Sequence, residues 1–257
     1  MKTILPIEYA KAAALANEVT DQMLSRLEFV VQQPEVIVDV GCSTGHSTRL
    51  LQQRYPKAIV TAIDIAYPLL EYARQTNPSA YVCADTAALP FRDHSVDLIF
   101  ANLLLPWCND QASIFREWRR VLRPGGLLMF SSLGPDTLKG WWDNKDLKEG
   151  LKITPHLADM HEVGDILTQG RWLDPVMDVE YFTLNYREIK HFFHELYVTA
   201  MIDQIPTEIV NEPMVDSWSA MYEVVYGHAW GPSLEALQTA DQEGIVRIPL
   251  SHLRRSR

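Results

Sequence analysis

Short apolar runs rich in β-branched residues recur through the first half of the chain, and most are followed by a helical stretch. The first, Val36-Ile37-Val38-Asp39-Val40, lacks the polar alternation that marks a solvent face, as expected of a strand covered on both sides. Further strands are expected over 58–63, 80–83, 96–101 and 127–132, with helices over 47–55, 67–75 and 110–122. Arg123-Pro124-Gly125-Gly126 reads as a turn. Ahead of these, apolar residues at helical spacing predict one helix over 8–30, broken by Pro34. Strands alternating with helices of this length join by right-handed crossovers into a parallel sheet, so the fold class is doubly wound α/β. The second half adds a mixed segment over 134–156, a helix over 159–169 stopped by Gly170 and a strand over 176–185. An amphipathic helix over 186–200 and a last strand over 221–230 complete it.

Apolar residues make up 47% of the 257, enough to bury a substantial core within one domain. Lys and Arg number 23 against 33 Asp and Glu, a net charge of -10 that disfavours general nucleic-acid binding. The three cysteines, Cys42, Cys83 and Cys108, form no CxxC pair, which argues against a zinc site or a disulfide framework. No signal-peptide core opens the chain and no run of about 18 apolar residues interrupts it, so a cytoplasmic protein without a membrane span is expected.

The stretch Asp39-Val40-Gly41-Cys42-Ser43-Thr44-Gly45 lies between a strand and a helix. Glycine there lets the backbone turn tightly and lets a ligand approach it, while the helix start supplies N–H donors. A phosphate loop would need a lysine after Gly45, and a dinucleotide fingerprint matches only at Gly41. An acid followed by GxGxG, the loop of S-adenosylmethionine (SAM) methyltransferases, matches at Asp39, Gly41 and Gly45 and carries Ser43 at the middle glycine. Asp64 ends the second strand, where a carboxylate can accept hydrogen bonds from both ribose hydroxyls. Asp85-Thr86 follow the third strand, where a carboxylate can accept from an adenine amino group or simply cap a helix. Asn102-Leu103-Leu104-Leu105-Pro106-Trp107 follow the fourth. Ligands of open α/β sheets sit outside the carboxyl ends of the strands, so these loops face one crevice.

With these residues the chain resembles the class I SAM-dependent methyltransferases across about 36–185. Later strings narrow the likeness: Phe130-Ser131-Ser132-Leu133-Gly134-Pro135-Asp136-Thr137-Leu138, then Asp159-Met160-His161-Glu162-Val163-Gly164-Asp165-Ile166-Leu167, then Pro175-Val176-Met177-Asp178-Val179-Glu180. Together with Val224-Val225-Tyr226-Gly227-His228-Ala229-Trp230 they resemble the malonyl-acyl-carrier-protein O-methyltransferases of biotin synthesis. That resemblance implies a seven-stranded sheet with the last strand antiparallel, an N-terminal lid helix within 1–34 and cap insertions at 134–156 and 186–217. It implies SAM as methyl donor and malonyl-acyl carrier protein or malonyl-CoA as acceptor. The donor site would comprise Tyr9 on the lid, Asp39, Gly41, Cys42, Ser43 and Gly45 of the loop, and Asp64 with Ile65. Asp85, Thr86, Asn102 and Leu103 would complete it. Ser43 departs from the family glycine, and Ala16 replaces the usual lid glutamine. A SAM-fold binding or assembly protein, or a methyltransferase of another carboxylate, are the alternative functions.

Methyl transfer to a carboxylate needs no general base, because such a group, with a pKa of about 4, is already ionised at neutral pH. What remains is orientation. Lys139, Lys152, Arg171 and Arg187 are candidates to hold the acceptor carboxylate, as are His156 and His161, although such cations are more often solvated surface groups and such histidines more often structural. Trp107 could cover the crevice or fill the core at the strand end. Trp141 and Trp142 are read as packing the cap rather than as shaping an apolar route for a phosphopantetheine arm. Arg116, Arg119, Arg120 and Arg123, followed by Lys139, Lys145, Lys148 and Lys152, could dock an acidic carrier or form solvated faces. His191-x-x-His194-Glu195 lacks metal-ligand spacing and reads as a helix face.

Overall fold

The computed structural model describes residues 5–142, 154–206 and 218–232. Helices α1 (Pro6–Ala12) and α2 (Ala14–Arg26) lead into β1 (Val36–Val40), α3 (His46–Arg54), β2 (Ile59–Asp64), α4 (Tyr67–Thr76) and β3 (Ala80–Cys83). Then follow β4 (Val96–Ala101), α5 (Gln111–Val121), β5 (Leu122–Leu133) and the single turn α6 (Lys139–Trp142). After α7 (Met160–Gln169), β6 (Leu173–Tyr186), α8 (Ile189–Val198) and β7 (Trp218–Trp230) close the described chain.

The sheet has seven strands in the order β3-β2-β1-β4-β5-β7-β6. β1 to β5 pair in parallel, and β7 runs antiparallel to both β5 and β6. The chain therefore forms the expected mixed sheet, and strand order reverses between β1 and β4. At such a switch point neighbouring loops diverge and leave a crevice.

Alternating residues of the strands feed two cores. Ile37, Leu98, Leu127, Met129 and Leu133 pack with α2, α3 and α8, whereas Val38, Ile99, Leu128 and Phe130 pack with α5 and α7. α5 buries Ile114, Phe115, Trp118 and Val121 at helical spacing, and the Asp110 carboxylate caps it by accepting from the Ser113 N–H at 3.0 Å. Asp159 and Glu162 form a capping box at the start of α7.

Several boundaries differ from the sequence expectation, among them the start of α8, at Ile189 rather than 186, and of β7, at Trp218 rather than 221. The helix expected over 8–30 is two helices, broken at Ala13, whose ψ of 21° leaves the helical range. α2 packs on the sheet while α1 turns away to meet α4 and α8. The turn expected at 123–126 lies inside β5: Val96 faces Leu122 and Leu98 faces Leu127, so four residues bulge out of one continuous strand. Gly125 supplies the left-handed residue there, with φ 70°. β6 begins at Leu173, ahead of Pro175, with a register shift before Val176 that absorbs the missing N–H.

Candidate active site

The loop after β1 places every second residue in the left-handed region: φ is 73° at Gly41, 52° at Ser43 and 83° at Gly45. That is why glycine suits all three positions, and Ser43 adopts the conformation at a cost of about 1–2 kcal/mol. The loop is fastened to the end of β2. Gly41 and Cys42 N–H groups donate to Ile63 O at 2.8 and 3.0 Å. The Ser43 N–H donates to Asp64 Oδ2 at 2.9 Å, and Asp64 Oδ1 accepts from the Ala66 N–H at 2.8 Å. Burial raises the Asp64 carboxyl, and the N–H groups of Ala66, Ser43 and Ile65 oppose that rise. Each carboxylate oxygen keeps a second lone pair for a further donor.

Asp39 lies behind the loop. Its Oδ2 accepts from Ser47 Oγ at 2.7 Å and Thr48 Oγ1 at 2.6 Å. Its Oδ1 is buried without a partner, as are Ser43 Oγ and His46 Nε2. Burial is the main reason the Asp39 carboxyl is pushed up to about 6. The Cys42 thiol is raised well above its usual value by burial and then by Asp39 and Asp64.

The lid is tied to the sheet through Asn102. Its amide Nδ2 donates to Ala16 O at 2.7 Å and Thr20 Oγ1 at 2.8 Å, while its Oδ1 accepts from Ser131 Oγ at 2.8 Å. Ser131 Oγ in turn accepts from the Leu103 N–H at 2.9 Å. The Asn102 side chain is thus a strut between β4, β5 and α2. α1 brings Tyr9 to the same place, where desolvation raises its phenol and Ser43 and Asp64 are its polar neighbours.

Two cavities meet here. One, of about 450 Å³, lies between the loop, the lid and the end of α8, and includes Tyr9, Gly41, Cys42, Ser43, Asp64 and Ile65, then Asn102 and Leu103. The other, of about 530 Å³, lies outside β3 and β4 and includes Asp64, Ile65, Asp85 and Thr86. Gly41, Asp64, Ile65, Leu104 and Trp107 belong to both. Asp39 and Gly45 sit behind the loop rather than on either wall. Asp85 Oδ1 accepts from the Ala87 N–H at 2.8 Å, and Thr86 Oγ1 accepts from Trp118 Nε1 at 2.9 Å. Trp107 Nε1 reaches Ala200 O at 3.3 Å and pins the fourth loop to the end of α8.

Among the described residues, the structure does not bring the cap cations to the cavities. Lys139 pairs with Asp136 at 2.7 Å, and Arg171 lies beside Arg119. Neither these nor Arg187, His156 and His161 line either cavity. In the arginine cluster, Arg120 is held by Glu117 and Asp93 and Arg123 by Asp97, so two of the four are structural. Lys145, Lys148 and Lys152 lie outside the described residues. Trp141 packs on Phe192, ring centroids 4.7 Å apart.

Sequence reasoning missed Glu195, Tyr186 and Tyr222. Glu195 and Tyr222 line the first cavity, and Tyr186 Oη donates to Glu195 Oε1 at 2.9 Å. An available signal was the acid itself, set among Phe192, Leu196 and Val198 on the apolar face of its helix.

Residues 38–130 match the family model described as a methyltransferase domain. A malonyl-acyl-carrier-protein O-methyltransferase of Nitrosospira multiformis is 36% identical, covering 88% of this chain and 85% of that protein. The one from Halorhodospira halophila is 37% identical, covering 97% of this chain and 92% of its own. The chain belongs to the malonyl-acyl-carrier-protein O-methyltransferases. Solved structures share the fold at low identity. A phosphoethanolamine N-methyltransferase 2 of Haemonchus contortus, in complex with S-adenosyl-L-methionine, is 13% identical with a TM-score of 0.58, covering 84% of this chain and 53% of that one. A SAM-dependent methyltransferase of Methanosarcina mazei is 16% identical with a TM-score of 0.54, covering 81% of this chain and 97% of that one. Among the described residues, no helix of this family member is long and apolar enough to cross a membrane.

Proposed function

We propose that the chain methylates the free carboxylate of a malonyl group carried on acyl carrier protein, with SAM as donor. The observation that carries this reading is the joined crevice. Its loop is clamped to Asp64, a buried carboxylate oxygen of Asp39 stands unpartnered behind it, and its cavity continues under the lid. The Asp39 carboxylate lends negative potential from behind the left-handed loop, without contact, to a cationic amino-acid group resting on the loop's cavity side, and Asp64 suits a ribose. Asp85 and Ile65 then fall where an adenine would lie, with Tyr9 closing over the loop.

Bound there, SAM supplies an electrophilic methyl group on a sulfonium. The protein holds the donor by Asp64 and the loop and excludes water with α1 and α2. It leaves the already ionised acceptor to be oriented, so the work is positioning rather than proton transfer. Ser43 keeps the left-handed geometry of the glycine it replaces, which favours an active enzyme over a binding protein of the same fold. We further take 1–257 as one domain, because β6 and β7 complete the sheet that β1 begins. All three cysteines are free, as suits the cytoplasm.

The test is mass spectrometry of malonyl-acyl carrier protein, malonyl-CoA and malonate after incubation with protein and SAM. A gain of one methylene on the carrier-bound malonyl group supports the reading. Methylation of malonyl-CoA alone, of malonate alone or of none contradicts it.

A further inference from the structure

The lid-side cavity is built for an anionic acceptor, on the function proposed above, yet none of its described lining residues is a lysine or arginine. Its far wall, formed by Leu133, Glu195, Val198, Thr199 and Tyr222, instead presents a phenol and a carboxyl. β7 runs antiparallel to its neighbours, so its first half lies at the carboxyl edge of the parallel strands. This carries Tyr222, opposite Phe182 on β6, into the crevice from the side facing the loop's cavity. Tyr222 is 3% exposed.

Behind it stands a short network. Tyr186 Oη donates to Glu195 Oε1 at 2.9 Å and lies 3.4 Å from Tyr222 Oη. With its proton committed to Glu195, Tyr186 can only accept from Tyr222. At 3.4 Å that contact is far longer than the 2.7–2.8 Å typical of hydroxyl pairs, so the Tyr222 proton is weakly held and free to turn toward a better acceptor. Burial raises the Tyr222 phenol, which therefore keeps its proton at neutral pH, and burial also raises the Glu195 carboxyl, against the hydrogen bond it accepts from Tyr186.

We propose that the Tyr222 hydroxyl orients the acceptor carboxylate by donating to one of its oxygens, with Tyr186 and Glu195 as positioning residues behind it. A neutral donor suits this chemistry better than a guanidinium. The negative charge of the nucleophile falls as its oxygen bonds to the methyl carbon, so a full cation would hold the ground state more tightly than the transition state and slow the step. A single phenol fixes one oxygen and leaves the other free to attack.

The experiment compares acceptor kinetics with donor affinity. Wild-type protein is assayed first with malonyl-acyl carrier protein; absence of transfer there defeats the functional reading itself, before any variant is made. Given an active wild type, Tyr222→Phe lowers kcat/KM for the acceptor by about 10- to 100-fold, the scale of a hydrogen bond to a charged group, while the SAM Kd from calorimetry stays within about twofold. Unchanged acceptor kinetics, or an equal loss of SAM affinity, overturns the proposal. A second pair guards against misfolding: Glu195→Gln, which can still accept from Tyr186, retains acceptor kcat/KM, whereas Glu195→Leu loses it with SAM affinity intact. Equal behaviour of the two Glu195 variants also overturns it.

Discussion

The Ser43 backbone N–H donates to Asp64 Oδ2 at 2.9 Å, so the loop after β1 and the acid ending β2 form one unit rather than two independent ligand contacts. The same carboxylate that would grip a ribose also sets the loop against which the donor's amino-acid end would rest. Changes at either residue therefore propagate to the other.

Ser43→Gly leaves that N–H in place and relieves a left-handed residue. The expected outcome is a gain in unfolding free energy of about 0.5–1 kcal/mol, since the steric relief exceeds the added chain entropy of glycine. Denaturant unfolding measures it, and SAM affinity is expected to stay equal or rise.

Asp39 gives stability a pH dependence with a definite sign. Its carboxyl titrates at 3.8 when free and at about 6 in the fold, so the folded state binds the proton more tightly. The contribution is fully favourable below pH 4 and is lost as pH rises through 6, about 3 kcal/mol in all. Asp39→Asn removes this slope, and its stability relative to wild type should increase from pH 4 to 7. Urea midpoints across that range, where both proteins remain folded, measure the difference.

Asn102→Ala severs the three side-chain hydrogen bonds that tie α2 to β4 and β5. Loss of about 1–3 kcal/mol is expected from the buried groups left unpaired. The informative readout is hydrogen exchange, which should quicken in α2 while α5 and α7 keep their protection.

Gly227 lies opposite Phe130 on β5, and a Cβ there would overlap the Phe130 ring. Gly227→Ala should cost about 1–3 kcal/mol through overpacking, and pairing it with Phe130→Leu should recover part of that loss. Additive effects of the two substitutions, measured in a thermal-unfolding cycle, would count against the contact.

The parallel core was legible because its central strands are covered on both faces: β1 (Val36–Val40) and β4 (Val96–Ala101) fall where their apolar runs place them. The break at Ala13 was not, since no glycine or proline marks it and only the packing of α1 on α4 and α8 requires it. Pro124 and two glycines read as a turn at 123–126, yet sheet pairing on either side kept the strand continuous. In the site, loop chemistry pointed to Asp64 and Gly41, residues whose position follows from the strand ends. Asn102 was found by place but not by role, because its partners Ala16, Thr20 and Ser131 are distant in sequence. Glu195 and Tyr222 carry no motif, and only the antiparallel return of β7 brings them together.

The most direct test of the crevice as a donor site is calorimetric titration of wild-type and Asp64→Ala protein with SAM. The account predicts saturable binding to wild type at a single site, and an affinity at least about tenfold weaker once the carboxylate is removed. No binding to folded wild type, or equal affinity in the two proteins, would contradict it.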